Sequence, residues 1–431
     1  MKYVIFGGGP CGMRLADEIS ELGHEVHLYE KADDLGGCWR VKWNDGYFME
    51  HSCRVMTSNY NNVMDLVEEL GLEDPYRDVY GSTISFTKMF LSYFLKNLSI
   101  LDSFKFVKSM LTISKDDKRN FKEWMEDNNI TTRGKKALRN LSLTLATVPQ
   151  DLSAYCVFDT IYGGFGKGKF IQFREGDKWL KMWEKKLRKK DNVHIYLNTK
   201  VNNFVSSSRK IIYANTSSGK VYGDRFICAL PLWSLKDIVK KSSNETIKNN
   251  WMKSIDFTKY CEKLSYTAIG IQLHFSKVTG IKEKSWCQTC EGDWTIFMQK
   301  TSDYTETFTR KKGIKEVWSC ALVDFTRKSK RLEKTPGKLN IDQIIEEVLY
   351  QLEKTLDRKI RPKMITANVD INRYGKWELI ESAFASGPEG PLRAKGKKID
   401  NLFAVGCQNR YEIAILDGAL QAADDFCEKY V

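Results

Sequence analysis

Gly7, Gly9 and Gly12 stand in the string GGGPCG close to the start of the chain, and an acid, Glu30, follows the last of them by 18 residues. Glycines at this spacing suit a pyrophosphate. Gly7 permits a tight turn, Gly9 lets the backbone approach the phosphates, and Gly12 lets a helix pack close to a strand. Pro10 and Cys11 complete the loop. A helix starting here offers free N–H groups and the positive end of its dipole. Glu30 can accept both hydroxyls of an adenosine ribose and would repel a 2′-phosphate, which favours FAD or NAD over NADP. A second pair, Gly36 and Gly37, follows in LGGCWR; a plain NAD dehydrogenase does not require it. The competing reading of GGGPCG is a glycine turn without a ligand.

Few other residues are spaced for chemistry. Five histidines leave little room for a Ser-His-Asp set or a metal centre. Cys287 and Cys290 form one CxxC with no second pair, so no metal site is expected. A bound dinucleotide cofactor would account for this scarcity, because the cofactor then carries the chemistry and the protein orients it.

The elements around the loop place it. Tyr3–Phe6 reads as a buried parallel strand. Residues 13–22 read as a helix with Leu15, Ala16, Ile19 and Leu22 on one face and Gly23 as its stop. Glu25–Glu30 reads as a second strand, so the glycines sit inside a βαβ unit. Val63, Leu66, Val67 and Leu70 mark a further helix closed by Gly71. Residues 76–165 are rich in amphipathic helix. Tyr266–Phe275 and Glu316–Phe325 alternate as half-buried strands, and Ile341 to Leu356 carry a helix face.

With these residues in view, GGGPCG followed by LYEKADDLGGCWRVKWNDGYFMEH resembles the N-terminus of the flavin-containing amine oxidase and carotenoid (phytoene) desaturase superfamily. The resemblance implies FAD, with Glu30 and Lys31 at the adenosine ribose and Gly36 and Gly37 beside the pyrophosphate. In the family a basic residue often follows the pair directly; here Cys38 takes that place and the nearest arginine is Arg40. Tyr47–Asp74 is similar to the matching segment of plant-type desaturases. Residues ahead of its helix run past the flavin ring in the family, which makes His51 and Arg54 the catalytic candidates. In Val193–Phe204, Val201 would meet the adenine through its backbone, and Ala229 and Pro231 match an A-x-P motif. The C-terminal stretch Ile399–Val431 resembles the closing strand, loop and helix. There Gly406 is followed by Cys407 where the family has an acid, and Leu416 and Asp417 start a helix aimed at the flavin pyrimidine.

The resemblance covers 1–75, 170–235 and 395–431 well. It implies an α/β fold with a discontinuous Rossmann-type FAD-binding domain (1–75, 170–250 and 391–431). A substrate domain of mixed sheet and helices would span 76–169 and 251–390. The implied activity is removal of two electrons from a small-molecule substrate as hydride, forming a C=C or C=N bond, and the N-terminal third leans toward the desaturase branch. Two rivals are a flavin isomerase or mutase acting on a nucleotide sugar and a flavin-binding protein without catalysis.

Bulk properties bound the partners. The 431 residues carry 68 lysines and arginines against 55 acids, a net charge of +13. No zinc-finger spacing or RNA-binding signature accompanies the charge, so nucleic acid is not expected. Eleven cysteines and the absence of a leader-like segment suggest a reducing, cytoplasmic setting. Lys88–Leu111 reads as an amphipathic helix that either packs on the core or offers a face to a membrane or an entering substrate.

Overall fold

The run KYVIF forms β1 (Lys2–Phe6), whose last four residues are buried. A strand apolar on both faces needs cover on both. In the computed structural model β1 has it, as the middle strand of a parallel sheet. The structure describes residues 1–79, 96–145, 148–165, 168–266, 268–281, 287–288, 292–371, 376–379, 383–384, 387–410 and 415–431. β2 (Glu25–Tyr29) and β3 (Val193–Tyr196) lie to one side of β1. The chain then forms an antiparallel three-stranded sheet, β4 (Val201–Ser207), β5 (Lys210–Thr216) and β6 (Gly219–Val221). β7 (Arg225–Cys228) returns to the other side of β1, and later β13 (Leu402–Ala404) joins beyond it, giving the order β13-β7-β1-β2-β3. Strand order reverses at β1, where doubly wound sheets open a crevice at their carboxyl ends.

α1 (Pro10–Glu21) buries Met13, Leu15, Ala16 and Ile19 on this sheet. It starts three residues before the apolar periodicity does, because proline's fixed φ suits the first helical position. α2 (Asn61–Glu69) buries Val63, Leu66 and Val67. Among the helices that follow α2, α3 (Ile100–Thr112), α4 (Phe121–Asp127) and α5 (Ala154–Asp159) gather around Phe106, Trp124 and Phe158. The amphipathic stretch Lys88–Leu111 falls partly on α3, and its residues 88–95 lie outside the described residues. Core packing holds for Phe106, but Ile100, Leu101, Phe104, Val107 and Leu111 are 46–91% exposed.

A second, antiparallel sheet comprises β8 (Ile269–Phe275), β9 (Cys287–Gln288), β10 (Ile296–Gln299), β11 (Glu316–Leu322) and β12 (Met364–Ala367), in the order β9-β10-β11-β8-β12. One face packs Ile271, Leu273 and Cys320 against Ile344, Val348 and Leu352 of α7 (Ile341–Leu356), which occupies that side. β8 and β11 were expected to be half-buried, yet every residue of both is buried. The second face is covered by the backbone after Tyr47. A Cβ on Gly270 would lie 1.8 Å from the Glu50 carbonyl oxygen.

The basic run Lys185–Lys190 is only partly a solvated surface. α6 (Lys178–Arg188) buries Trp179, Leu180, Trp183 and Leu187, and turns Lys186 toward Asp17 of α1. Asp17 is 1% exposed and accepts hydrogen bonds from Lys186, Lys190 and the Trp183 indole. Burial pushes its carboxyl up, but these donors outweigh it and hold the group below its ordinary value of 3.8. Its stabilising contribution is therefore complete above the ordinary carboxylate range and is lost as pH falls through the lower folded-state value. Asp17→Asn is expected to cost about 2 kcal/mol at pH 7, because both lysines lose their buried carboxylate and keep only more exposed partners. In urea denaturation the gap between wild type and variant should narrow below about pH 4; a gap independent of pH would refute the assignment.

Candidate functional site

Two glycine loops meet at the carboxyl ends of β1 and β2. A Cβ on Gly12 would sit 1.8 Å from the Gly7 carbonyl oxygen, so only glycine lets α1 start this close to the strand. Gly9 is a different case. Its φ of −74° and ψ of 178° are ordinary extended backbone. A Cβ there would meet no protein atom closer than 3.9 Å, the Cα of Gly37. The protein itself does not require a glycine at this position, whereas a pyrophosphate seated between the loops would. α1 opens with Pro10 and no side-chain cap, leaving its leading N–H groups for such an anion. The Gly36 N–H donates to the Gly8 carbonyl at 2.7 Å, which joins the two loops into one cradle.

Arg40 stands beside Gly36. It donates Nη1 to the Asp34 carbonyl at 3.2 Å, and its buried Nε has no acceptor among the described residues. An orphaned guanidinium N–H at this place suits an anionic group. Cys38 is half-buried in the same turn.

Glu30 is buried at the end of β2. Its Oε2 accepts from the Gly8 N–H at 2.7 Å and its Oε1 from the Ala32 N–H at 2.9 Å. Two backbone donors fix the carboxylate and leave further lone pairs for a pair of hydroxyls. Lys31 beside it is exposed. The Thr199 N–H donates to the Glu30 carbonyl at 2.8 Å, which brings the start of β4, with buried Val201, to this end of the sheet. The Ala229 N–H donates to the Phe6 carbonyl at 2.8 Å, and the Ala229 oxygen lies 2.3 Å from where a Gly7 Cβ would be.

β13 delivers the last segment. The Val405 N–H donates to the Cys228 carbonyl, and the Gly406 N–H to Asn409 Oδ1 at 2.9 Å. Cys407 is half-buried, its thiol 3.5 Å from the Ile415 carbonyl. Residues 411–414 lie outside the described residues. α8 (Leu416–Tyr430) then begins with no side-chain cap. The Asp417 carboxylate accepts from the Val63 N–H and from Asn62 Nδ2, both at 3.1 Å, so it caps the first turn of α2. The Asp417 carboxylate is thus committed to α2, and the start of α8 presents backbone N–H groups without a side-chain cap.

The two catalytic candidates occupy different roles. Arg54 is buried and donates Nη1 and Nη2 to the carbonyls of Trp39 and Arg40, both at 2.6 Å, with Nε 3.4 Å from Glu50 Oε2. It clamps the second glycine loop and so positions Arg40. His51 is half-buried next to Glu50.

Residues that sequence reasoning passed over lie opposite. Gln299 of β10, Ser319 of β11, Gln272 of β8 and Thr366 of β12 stand in register across the second sheet, all on one face and all buried. Gln272 Nε2 donates to the Glu50 carbonyl at 2.9 Å and to Ser319 Oγ at 3.1 Å, while its Oε1 has no partner among the described residues. Gln299 has no hydrogen-bond partner at either amide atom among the described residues. The Glu50 carboxylate, 1% exposed, lies 3.5 Å from Thr301 Oγ1. Burial pushes its carboxyl up, while Arg54 opposes. The available signal was a glutamine interrupting each apolar run, IGIQLHF and IFMQ.

Comparison with known proteins agrees with this geometry. The family model of flavin containing amine oxidoreductases matches residues 10–259, more than half of the 431. A 15-cis-phytoene desaturase from an Oncidium hybrid cultivar is 36% identical over 77 residues, covering 17% of this chain and 13% of that protein. Putrescine oxidase from Kocuria rosea is 32% identical over 81 residues, covering 19% of this chain and 17% of that one. The chain thus matches less than a fifth of the length of these curated relatives. An oxidoreductase from Methanosarcina mazei superposes over the whole of both chains with a TM-score of 0.70 at 16% identity, which establishes the shared fold.

The cradle generates a test. Gly9→Val is expected to abolish FAD retention while thermal unfolding of the cofactor-stripped protein changes little, because the added atoms meet ligand space and not protein. Glu30→Ala should weaken FAD binding by about 1–3 kcal/mol through lost charge-assisted hydrogen bonds. Flavin absorbance after gel filtration measures both, and full FAD occupancy in Gly9→Val would reduce the loop to a mere turn. A cradle shaped for a dinucleotide, the match across residues 10–259 and the shared fold lead to one conclusion: the chain belongs to the flavin-containing amine oxidoreductase family, and its cofactor is FAD.

Proposed function

We propose that the protein is an FAD-dependent oxidoreductase acting on a small organic substrate with a polar nitrogen next to the C–H bond that is oxidised. FAD, when bound, supplies the two-electron chemistry as a hydride acceptor. The cradle residues named above would hold it: Gly7, Gly9, Pro10, Cys11 and Gly12 with Gly36, Gly37 and Arg40 at the pyrophosphate, Glu30 and Lys31 at the ribose, and Val201 at the adenine. Ala229, Gly406, Cys407, Leu416 and Asp417 would line the remaining edge through their backbone.

The Gln299 amide is the observation that carries the substrate reading. A buried amide with neither atom paired costs about 1–3 kcal/mol unless a polar group meets it. Together with the free Oε1 of Gln272 it offers acceptors to an amine N–H. A polyene would leave both unmet. The second reading, desaturation of an apolar chain, draws support from the desaturase likeness over 77 residues. The division into an FAD-binding unit (1–75, 170–250 and 391–431) and a substrate unit (76–169 and 251–390) belongs to the same proposal, supported by the two separate sheets.

The reading extends to a peripheral membrane contact. No helix among the described residues is long and apolar enough to cross a membrane. The outer face of α3, with Ile100, Leu101, Phe104, Val107 and Leu111 exposed and Lys105 and Lys108 interleaved, suits the surface of an anionic bilayer.

Anaerobic bleaching of the flavin absorbance tests the chemistry. Mono- and diamines are expected to bleach it, prenyl lipids and nucleotide sugars are not, and Gln299→Leu should raise KM for the amine about tenfold or more. Bleaching by a prenyl lipid alone would establish the desaturase reading instead. For the surface, the protein should co-float with vesicles of phosphatidylcholine containing phosphatidylserine, and a Leu101→Ser/Phe104→Ser double variant should not; equal flotation of the two would dismiss α3 as the contact.

A further inference from the structure

The opposite, amino-terminal end of the parallel sheet holds a cluster that the flavin chemistry does not use. Glu25 and His27 lie two residues apart on β2 and share one face. His194 of β3 is the register partner of His27, so its ring projects from that same face. Glu25 Oε1 is 2.6 Å from His27 Nε2, and one donor atom from each of the three lies within 4.8 Å of the others. His27 is 7% exposed, and its ring is held between Tyr196 at 5.5 Å and His194 at 4.8 Å. Glu25 and His194 are exposed.

We propose that Glu25, His27 and His194 bind one divalent transition-metal ion of the zinc, nickel or copper type. Two imidazoles and a carboxylate are borderline donors suited to these metals, whereas magnesium and calcium prefer sets composed of oxygen alone. Bonds of about 2.0–2.2 Å in a tetrahedral site set donors roughly 3.3 Å apart. The observed spacings bracket that value. The buried His27 acts as a fixed post, and the two exposed side chains close on it by small rotations, with solvent supplying the fourth ligand. Lys2 Nζ lies 4.0 Å from Glu25 Oε1, and its side chain is about one third exposed.

The site is structural. Glu25 begins β2 and Glu30 follows its far end, a separation of roughly 17 Å at about 3.3 Å per residue, too remote for contact with the flavin. β3 is the outer strand of the parallel sheet. A metal bridging β2 to β3 would pin that edge, and its binding energy would add to the stability of the folded chain.

Titration of the intact, chelator-treated protein with Co²⁺ tests this. One equivalent should bind with ligand-field bands of a nitrogen and oxygen site and without the thiolate charge-transfer bands that cysteine ligation would give. Zn²⁺ should compete with the Co²⁺ and raise the melting temperature. His194→Ala, an exposed position that leaves the fold intact, is expected to weaken binding at least tenfold and to remove the Zn²⁺-dependent rise, while FAD occupancy stays as in the wild type. Glu25→Gln should weaken binding to a smaller degree. Co²⁺ uptake unchanged in His194→Ala, uptake with thiolate bands only, or no uptake by wild type would each overturn the proposal.

Discussion

The cofactor end of the molecule depends on one close approach, that of α1 to the end of β1. Where a Gly12 Cβ would stand 1.8 Å from the Gly7 oxygen, the helix can begin directly over the crevice. Any side chain would push α1 away by ångströms, and the uncapped N–H groups would no longer face the space bounded by Gly9 and Gly37. The other features of the cradle are arranged around that contact. The Gly36 N–H ties the second loop to the first, Arg54 clamps the second loop through two carbonyls, and Glu30 is held by the Gly8 N–H within the first. Each link is a backbone hydrogen bond or a charge-assisted one, so the two loops are tied together by protein groups.

Burying charge is the recurring cost of this architecture, and the fold offsets it in three ways. Asp17 gains two lysines and an indole N–H. Glu30 gains two backbone N–H groups. Arg54 gains two carbonyls and the Glu50 carboxylate. In each case at least one donor or acceptor comes from another loop or element, so the same interactions that solvate the charge also fix how these parts dock. The second sheet follows another rule. Its polar row is only partly satisfied, and the unpaired members face the segment that carries Glu50 and Arg54. A partly satisfied polar surface is a poor way to stabilise a core and a suitable way to receive a polar ligand.

Much of the cofactor end was legible in the sequence because its signals are local. The glycines, Glu30 and the flanking apolar runs lie within about thirty residues, and each has a single steric or electrostatic purpose. The strand and helix of the C-terminus were equally readable. The second sheet was not. β8 and β11 read as half-buried because alternation reports only that two faces differ, and nothing in either strand announces that the backbone after Tyr47 covers the polar face. Gln272 and Gln299 were hidden for the same reason: a glutamine inside an apolar run is informative only once its neighbours on other strands are known. Asp17 with Lys186 and Lys190 is a pairing across more than 160 residues that no local pattern contains. The face shared by Glu25, His27 and His194 likewise needs the register of β2 against β3.

Asp417 shows how position and side-chain role separate. The resemblance places it at the start of a helix aimed at the flavin, and the structure puts its carboxylate on α2. The two facts are compatible because a helix start has two kinds of group to offer. Its N–H groups and dipole favour negative charge, while a carboxylate in the first turn stabilises the helix and would repel an anion placed before it. By turning to the Val63 N–H and Asn62 Nδ2, the Asp417 carboxylate satisfies donors of a neighbouring helix and leaves the start of α8 electropositive. The same carboxylate then couples the docking of α2 to the placement of α8. The closing helix and the helix that follows the segment carrying Glu50 and Arg54 are thereby set relative to each other.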